Sequence, residues 1–318
     1  MLTLDLIYEA ASQIGGRIYQ TPVEESHVLS ELMGVPVWLK LENTQVTGSF
    51  KARGALFSLI QAQKRGQNHV ATCSAGNHGK GVAWAASVLR MEATIFVPAS
   101  VDPVKVNGIR KHGANVHISA FDGYDETEAW AKLEAERLGL PFISAFDDFD
   151  VMAGNGGTLA LEILNQVPGV QSVVLPVGGG GMASGVSFVL KEQSNAQLVV
   201  CQHQESAAFY HSVQKGYSVL TMPPIQTLAS GLEGGFGLNT FEVLKNRFDH
   251  IHLVDEPSIR KAMVWMIKEH QWIVEGSAAA AVAACLDASF PKSAGPIVVV
   301  ISGRNVALAT VQDVLNRP

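Results

Sequence analysis

Two places in the chain combine chemically capable residues at a spacing that lets them act together. The apolar run Val173–Val177 passes directly into Gly178, Gly179, Gly180, Gly181 and Met182, and then into a helical pattern from Ala183. A strand, a glycine turn and a helix start in that order present unshielded backbone N–H groups at the positive end of a helix, which suits a phosphate dianion. The plainer reading is a tight turn with close packing, but four adjacent glycines carry more chain entropy than a turn needs. Gly178-x-Gly180-x-x-Ala183 fits the dinucleotide fingerprint in form. The next strand, however, ends at Gln202, where a ribose-binding acid is expected, so a nicotinamide dinucleotide is the lesser option. Met182 follows the run where a P-loop has Lys-Ser or Lys-Thr.

The second place is Thr47-Gly48-Ser49-Phe50-Lys51-Ala52-Arg53-Gly54. Ser49 or Thr47 is the expected N-cap of an amphipathic helix, which puts Lys51 in its first turn. The helix dipole there opposes an ammonium and favours the neutral amine that a covalent nucleophile needs. By propensity alone, a lysine in that position is more often a solvated surface charge, so its neighbours must decide.

The elements that hold these residues follow from the apolar pattern. Val35–Leu41, His69–Thr72, Ala93–Val97, Asn115–Ser119 and Pro141–Ser144 read as strands, separated by helical patterns at Gly54–Arg65, Gly79–Arg90, Lys105–His112 and Glu126–Leu138. The alternation resumes with Ser172–Pro176, Ser184–Glu192, Leu198–Gln202, Ser206–Lys215, Pro296–Ile301 and Val306–Leu315. This is the signature of mainly parallel sheets with helices on both faces. Gln45–Gly48 and Asp147–Asp150 are the best boundaries, which makes residues 1–46 and 147–318 a large domain and residues 47–146 a small one inserted in it. Gly231–Gly237 reads as an irregular loop of the kind that works at a site.

At 318 residues with 47% hydrophobic and 16% charged, the chain has ample apolar material for a core. Its formal net charge of −6 offers no basic surface for DNA or RNA. Cys73, Cys201 and Cys285 are odd in number, far apart and set in apolar runs, which disfavours a disulfide framework and points to a reducing cytoplasm. Met1–Ala11 carries Asp5 and Glu9 and reads as an amphipathic helix rather than a signal peptide, and no run is long and charge-free enough to span a membrane.

Four segments together resemble one family. Lys40-x-Glu42-x-x-Gln45-x-Thr47-Gly48-Ser49-Phe50-Lys51-x-Arg53-Gly54-Ala55 is similar to the lysine motif of the fold-type II enzymes that depend on pyridoxal phosphate (PLP), the tryptophan-synthase β-like family. Ser74-Ala75-Gly76-Asn77-His78-Gly79 resembles the substrate-carboxylate loop of the threonine/serine dehydratases and serine racemases. Val177–Met182 is similar to the family's phosphate loop, and Ile301-Ser302-Gly303 to the segment that meets the pyridine nitrogen. The four stand in family order between Lys40 and Asn305.

The resemblance implies an α/β protein of PLP fold type II, with two doubly wound sheet domains, the smaller inserted in the larger PLP-binding one, working as a homodimer. It implies that Lys51 binds the cofactor covalently and later removes the substrate Cα proton. Phe50 then packs on the ring, Asn77 bonds the 3-hydroxyl, Gly178, Gly179, Gly180, Gly181 and Met182 bind the phosphate, and Ser302 meets the ring nitrogen. Ser74, Ala75, Gly76, Asn77 and His78 take the carboxylate of an amino-acid substrate, mainly through backbone N–H groups, with His78 itself a structural cap. The implied reaction is a 3-hydroxy-amino-acid ammonia-lyase, giving a 2-oxo acid and ammonia. The alternatives are an amino-acid racemase and a protein that binds PLP or an amino acid without turnover. Racemases of the family have a second serine where this chain has Ala75, which favours dehydration. The family's cation site corresponds to Cys201–Ala208, where Gln202 and Ala208 replace the acids, so no metal is expected. Glu233, in the loop over the site, and Arg304, where a glycine is usual, also depart from the pattern, and Ala153–Thr158 carries one additional glycine. Those departures leave the choice of 3-hydroxy amino acid open.

Overall fold

In chain order the strands are β1 (Val23–Glu25), β2 (Val37–Lys40), β3 (His69–Cys73), β4 (Glu92–Val97), β5 (Asn115–Ile118), β6 (Ser172–Pro176), β7 (Gln197–His203), β8 (His250–Val254) and β9 (Ile297–Val300). They come from a computed structural model that describes residues 1–317. Six form one sheet in the order β1-β2-β9-β6-β7-β8, and three form a second in the order β3-β4-β5. The β1–β2 pair is antiparallel, and the other pairings among the described residues are parallel. The smaller sheet is thus inserted in the chain between β2 and β6 of the larger, as the pattern of alternating strands and helices implied.

Parallel strands covered on both faces need apolar side chains pointing both ways. In β6 and β9 every residue is buried. Val173, Leu175, Val298 and Val300 enter the core that holds the helices Leu4–Ile14, Lys51–Lys64 and Gly181–Gln193. Val174, Ile297 and Val299 enter the opposite core, under the helices Glu256–His270 and Gly276–Leu286.

The expected strand Pro141–Ser144 is reduced to one parallel bridge, Ala71 with Phe142. Pro141 has no N–H to extend the ladder, so only its carbonyl takes part, accepting from Ala71 N at 2.9 Å. The additional glycine of Ala153–Thr158 is absorbed in a wide, π-type turn, Ala153–Gly157, wholly buried. A Cβ on Gly154 would lie 2.6 Å from Gly54 Cα, so the two glycines let this turn and the Lys51–Lys64 helix touch backbone to backbone. The segment is therefore a packing device.

Beneath that contact lie four charges. Arg53 donates to Glu42 through Nε and Nη2 at 2.8 and 2.7 Å, and to Glu162 through Nη1 and Nη2 at 2.7 and 2.9 Å. Lys40, at the end of β2, donates to Glu162 at 2.6 Å, to Gln166 at 2.7 Å and to the Thr21 carbonyl at 2.7 Å. Arg53, Lys40 and Glu42 are fully buried. Burial works to raise Glu42, yet Arg53 beside it holds it below the usual carboxylate range. Two positive and two negative groups, all hydrogen-bonded, fix the Lys51 helix to β2 and to the Thr158–Gln166 helix.

Arg53→Met leaves Glu42 without its cation and Lys40 alone to balance two carboxylates. It is expected to lower stability by about 3–5 kcal/mol, read as a fall in the urea midpoint; an unchanged midpoint would show that the network does not hold the helix.

Candidate active site

Four strand ends open on one cleft. β2 leads through a short turn at Glu42–Thr44 to the Lys51–Lys64 helix, and β3 enters Ser74–Gly76 before the helix Asn77–Leu89. β6 enters the glycine run before the helix Gly181–Gln193, and β9 enters Ile301–Gly303. The cleft has a volume of about 1760 Å³. Crevices past the carboxyl ends of parallel strands are where such sheets bind ligands. The structure brings every residue that the sequence nominated to its wall: Phe50 and Lys51, Ser74 to His78, Gly178 to Met182, and Ser302.

Lys51 is the first residue of its helix, as expected, but neither Ser49 nor Thr47 caps it. The N-cap position is Phe50, already helical in conformation, and the Thr47 and Ser49 hydroxyls are buried without partners. Lys51 Nζ donates to the Ala145 carbonyl at 2.7 Å and lies 5.2 Å from the centre of the Phe50 ring. Burial pushes Lys51 down to about 8, against the pull of Glu275. The amine is therefore far closer to its neutral form than a surface lysine is.

Residues 302–304 run antiparallel to 48–50 and hold Ser302 beside this lysine. Phe50 N donates to Ser302 O at 3.1 Å and Arg304 N to Gly48 O at 2.9 Å. The Ser302 hydroxyl finds no partner among the described residues, although the residue is 2% exposed.

The glycine run is wedged under three segments. A Cβ at Gly181 would lie 2.9 Å from Phe146 Cα, and one at Gly180 would lie 2.6 Å from Phe236 Cε2. Gly180 also has φ +95°, which L side chains avoid. The Gly179 carbonyl is turned to Thr240 Oγ1 at 2.9 Å. Among the described residues no protein acceptor takes the N–H groups of residues 178–183, so they are available to an anion at the start of the Gly181–Gln193 helix.

Asn77 has its amide fixed at both ends. Its Nδ2 donates to Glu275 Oε1 at 2.8 Å, and its Oδ1 accepts from Asn305 Nδ2 at 2.6 Å. One Nδ2 proton is left for a ligand oxygen. Glu275 Oε2 accepts from Asn305 N at 3.1 Å. Burial raises Glu275 to about 7, while hydrogen bonds from Asn77 and Asn305 hold it back. Sequence reasoning did not assign Glu275, Asn305 or Phe146 to the site. The available signal for Glu275 was an acid just before Gly276 and an alanine-rich helix, a carboxylate at a helix N-terminus.

His78 is 2% exposed and bonds Thr72 Oγ1 at 3.1 Å. Burial and the nearby Lys51 push its imidazole down to about 3. It is neutral at ordinary pH and braces the loop against β3. Gln202 is likewise structural, since its Oε1 accepts from Tyr210 N at 2.9 Å and its Nε2 donates to Val177 O at 3.3 Å.

A buried amine, a cradle of free N–H groups, a free hydroxyl and an oriented amide on one wall complement an aldehyde, a phosphate, a ring nitrogen and a phenolic oxygen. A family model described as "Pyridoxal-phosphate dependent enzyme" matches residues 14–303. The chain is 36% identical to an L-threonine ammonia-lyase of Geobacter sulfurreducens, with 100% of this chain and 79% of that protein covered. It is 34% identical to the catabolic L-threonine dehydratase of Escherichia coli K12, over 98% of this chain and 96% of that one. A crystal structure of serine racemase from Dictyostelium discoideum superposes with a TM-score of 0.89 at 32% identity, covering 96% of this chain and 99% of that chain. With the amine, the phosphate cradle and the ring contacts on one cleft and the family match running nearly end to end, the chain belongs to the fold-type II pyridoxal-phosphate-dependent enzymes, among relatives of the threonine dehydratases and serine racemases.

Proposed function

We propose that the protein is a 3-hydroxy-amino-acid ammonia-lyase. The observation that carries this reading is a buried amine, Lys51, facing a cleft in which Ala75 offers only a methyl group. The threonine ammonia-lyases and dehydratases among its relatives support the same activity. The N–H groups of Gly178 to Met182 hold the cofactor phosphate, Asn77 its 3-hydroxyl, Ser302 its ring nitrogen and Phe50 its ring face, with Lys51 as the point of covalent attachment. The backbone of Ser74 to His78 receives the substrate carboxylate. Bound pyridoxal phosphate supplies the electron-withdrawing system that takes up the electron pair of the breaking Cα–H bond.

The chain's own residues set the direction of reaction. Lys51 would be the base that takes the Cα proton, and burial, by lowering its pKa to about 8, brings the neutral amine within reach. Ser302 would meet the ring nitrogen with a hydroxyl rather than a carboxylate, so the chain would supply no acid to protonate it, which favours β-elimination over reprotonation of Cα. Ala75 gives no second acid for the opposite face. The large lobe in this reading is residues 1–46 and 147–318 and the small one residues 47–146. The enzyme acts as a homodimer, and its three free buried cysteines are in keeping with the cytoplasm.

Lys51→Ala is expected to lower 2-oxo-acid formation from serine and threonine by about 10⁴-fold, measured by coupled dehydrogenase assay. Ala75→Ser is expected to raise formation of the D-enantiomer from L-serine by about 10²-fold, read by chiral chromatography. Substantial racemisation by the unaltered enzyme would favour the racemase instead. The rate at which cofactor-free protein takes up pyridoxal phosphate should rise with pH through a midpoint of about 8, because only the neutral Lys51 amine reacts. Glu275→Gln removes the charge that stabilises the ammonium, so the midpoint should move down; a midpoint near 10.5 would place Lys51 in solvent.

A further inference from the structure

We infer that the favoured substrate carries a second carboxylate on its side chain, as 3-hydroxyaspartate does, and that Arg304 and Lys105, backed by Lys80, receive it. This rests on the lyase reading above and names its substrate class. The other anions of the reaction are already provided for. Phosphate is met by the free N–H groups of the glycine run, and the α-carboxylate by the backbone of Ser74 to His78. Neither requires a cationic side chain, yet Lys80, Lys105 and Arg304 all line the same cleft.

Two of these cations have no partner of their own. Among the described residues Arg304 and Lys105 enter no ion pair, and both are exposed. Arg304 is nonetheless well placed. Its backbone N–H is bonded to Gly48 O at 2.9 Å, and its Cγ lies 3.4 Å from the point where a Cβ on Gly48 would stand. The guanidinium thus springs from a fixed stem between Gly303 and Asn305. Lys80, one turn beyond Asn77, is tied to Asn305 Oδ1 at 2.9 Å. Lys105 stands on the Pro103–Arg110 helix, close enough that it and Lys80 both favour the charged form of Glu275.

Among the described residues, none of the acids that line the cleft forms an ion pair with Arg304 or Lys105. Glu275 is engaged by Asn77 and Asn305, and Asp102 caps its own helix by accepting from Val104 N at 2.8 Å. Asp122, Asp125, Glu126 and Glu128 belong to the loop and first turns of the Tyr124–Arg137 helix. Glu233, like Glu275, feels the charge of Lys105, yet forms no ion pair with it. The hydroxymethyl group of serine leaves Arg304 and Lys105 unpaired, whereas a carboxylate there forms charge-assisted hydrogen bonds with both.

The test uses holoenzyme and two amino acids that lack a Cα proton and so cannot turn over, 2-methylaspartate and 2-methylserine. Calorimetric titration should show 2-methylaspartate bound at least about tenfold more tightly, and Arg304→Met or Lys105→Met should each cut that ratio by about tenfold. Both side chains are exposed and unpaired, so neither variant threatens the fold. In parallel, kcat/KM for 3-hydroxyaspartate should exceed that for serine, and the excess should shrink in the same variants. Equal or weaker binding of 2-methylaspartate, or a ratio unmoved in both variants, overturns the inference. If serine and threonine still release ammonia in that case, the lyase reading stands without it. If no 3-hydroxy amino acid releases ammonia, the lyase reading falls and the inference falls with it.

Discussion

The cleft depends on a buried exchange of charge that never touches it. Lys40, Glu42, Arg53 and Glu162 bind one another with two charges of each sign, where none could stand alone in an apolar core. Arg53 and Lys51 are two residues apart on one helix, so they point in different directions. The arginine is locked into this cluster, and the lysine is directed to the cavity. A pair of hydrophobic residues of similar volume would fill the same space, but would not fix which turn of the helix faces Glu162 and hence where Lys51 emerges. Close glycine contacts complete the placement. Gly54 meets the turn at Gly154, while on the neighbouring helix a Cβ at Gly81 would lie 3.2 Å from Lys51 O. The helix carrying Asn77 and the helix carrying Lys51 are set against each other by that approach.

Charge and backbone share the recognition of anions in different ways. The glycine run offers only N–H groups, whose positions are fixed by the fold and whose partial charges need no counter-ion when the site is free. Side-chain cations would have to be desolvated or paired. Confining them to the outer cleft, where Lys105 and Arg304 meet solvent, avoids that penalty. The inner cleft then relies on amides and hydroxyls, and the outer cleft on long flexible charges.

Much of this was legible in the residues, and what was not has identifiable causes. The alternating apolar runs located β2 to β7 and β9, because valine-rich strands in covered parallel sheets have a strong signature. The helix Gly276–Leu286 was invisible to the same reading: six of its eleven residues are alanine and it is buried on every side, so it has no polar face to show a period. β8, His250–Val254, alternates two histidines with aliphatic residues at the sheet edge and so resembles a loop. In the site, Lys51, Asn77, Ser302 and the glycine run announced themselves by local order in the chain. Glu275 and Asn305 did not. Their place arises from the approach of two distant segments to the Asn77 loop, the start of the Gly276–Leu286 helix for Glu275 and the segment after β9 for Asn305; Asn77 and Glu275 are 198 residues apart. The charged members of the lysine motif, Lys40, Glu42 and Arg53, were recognisable as a set, but only their burial shows that they are structural.

Glu275 also acts on Lys51. Each is buried, and burial drives each toward its neutral form; charged Glu275 favours the charged form of Lys51, while Lys105 and Lys80 favour the charged form of Glu275. With one group near 8 and the other near 7, both lie within reach of neutral pH. Asn77 is held between Glu275 and Asn305 through a single amide group. A protonated Glu275 accepts less strongly from Nδ2, and the hold on that amide relaxes. The hold on that amide is therefore tied to the protonation state of Glu275, whose carboxylate the buried Lys51 faces across the cleft.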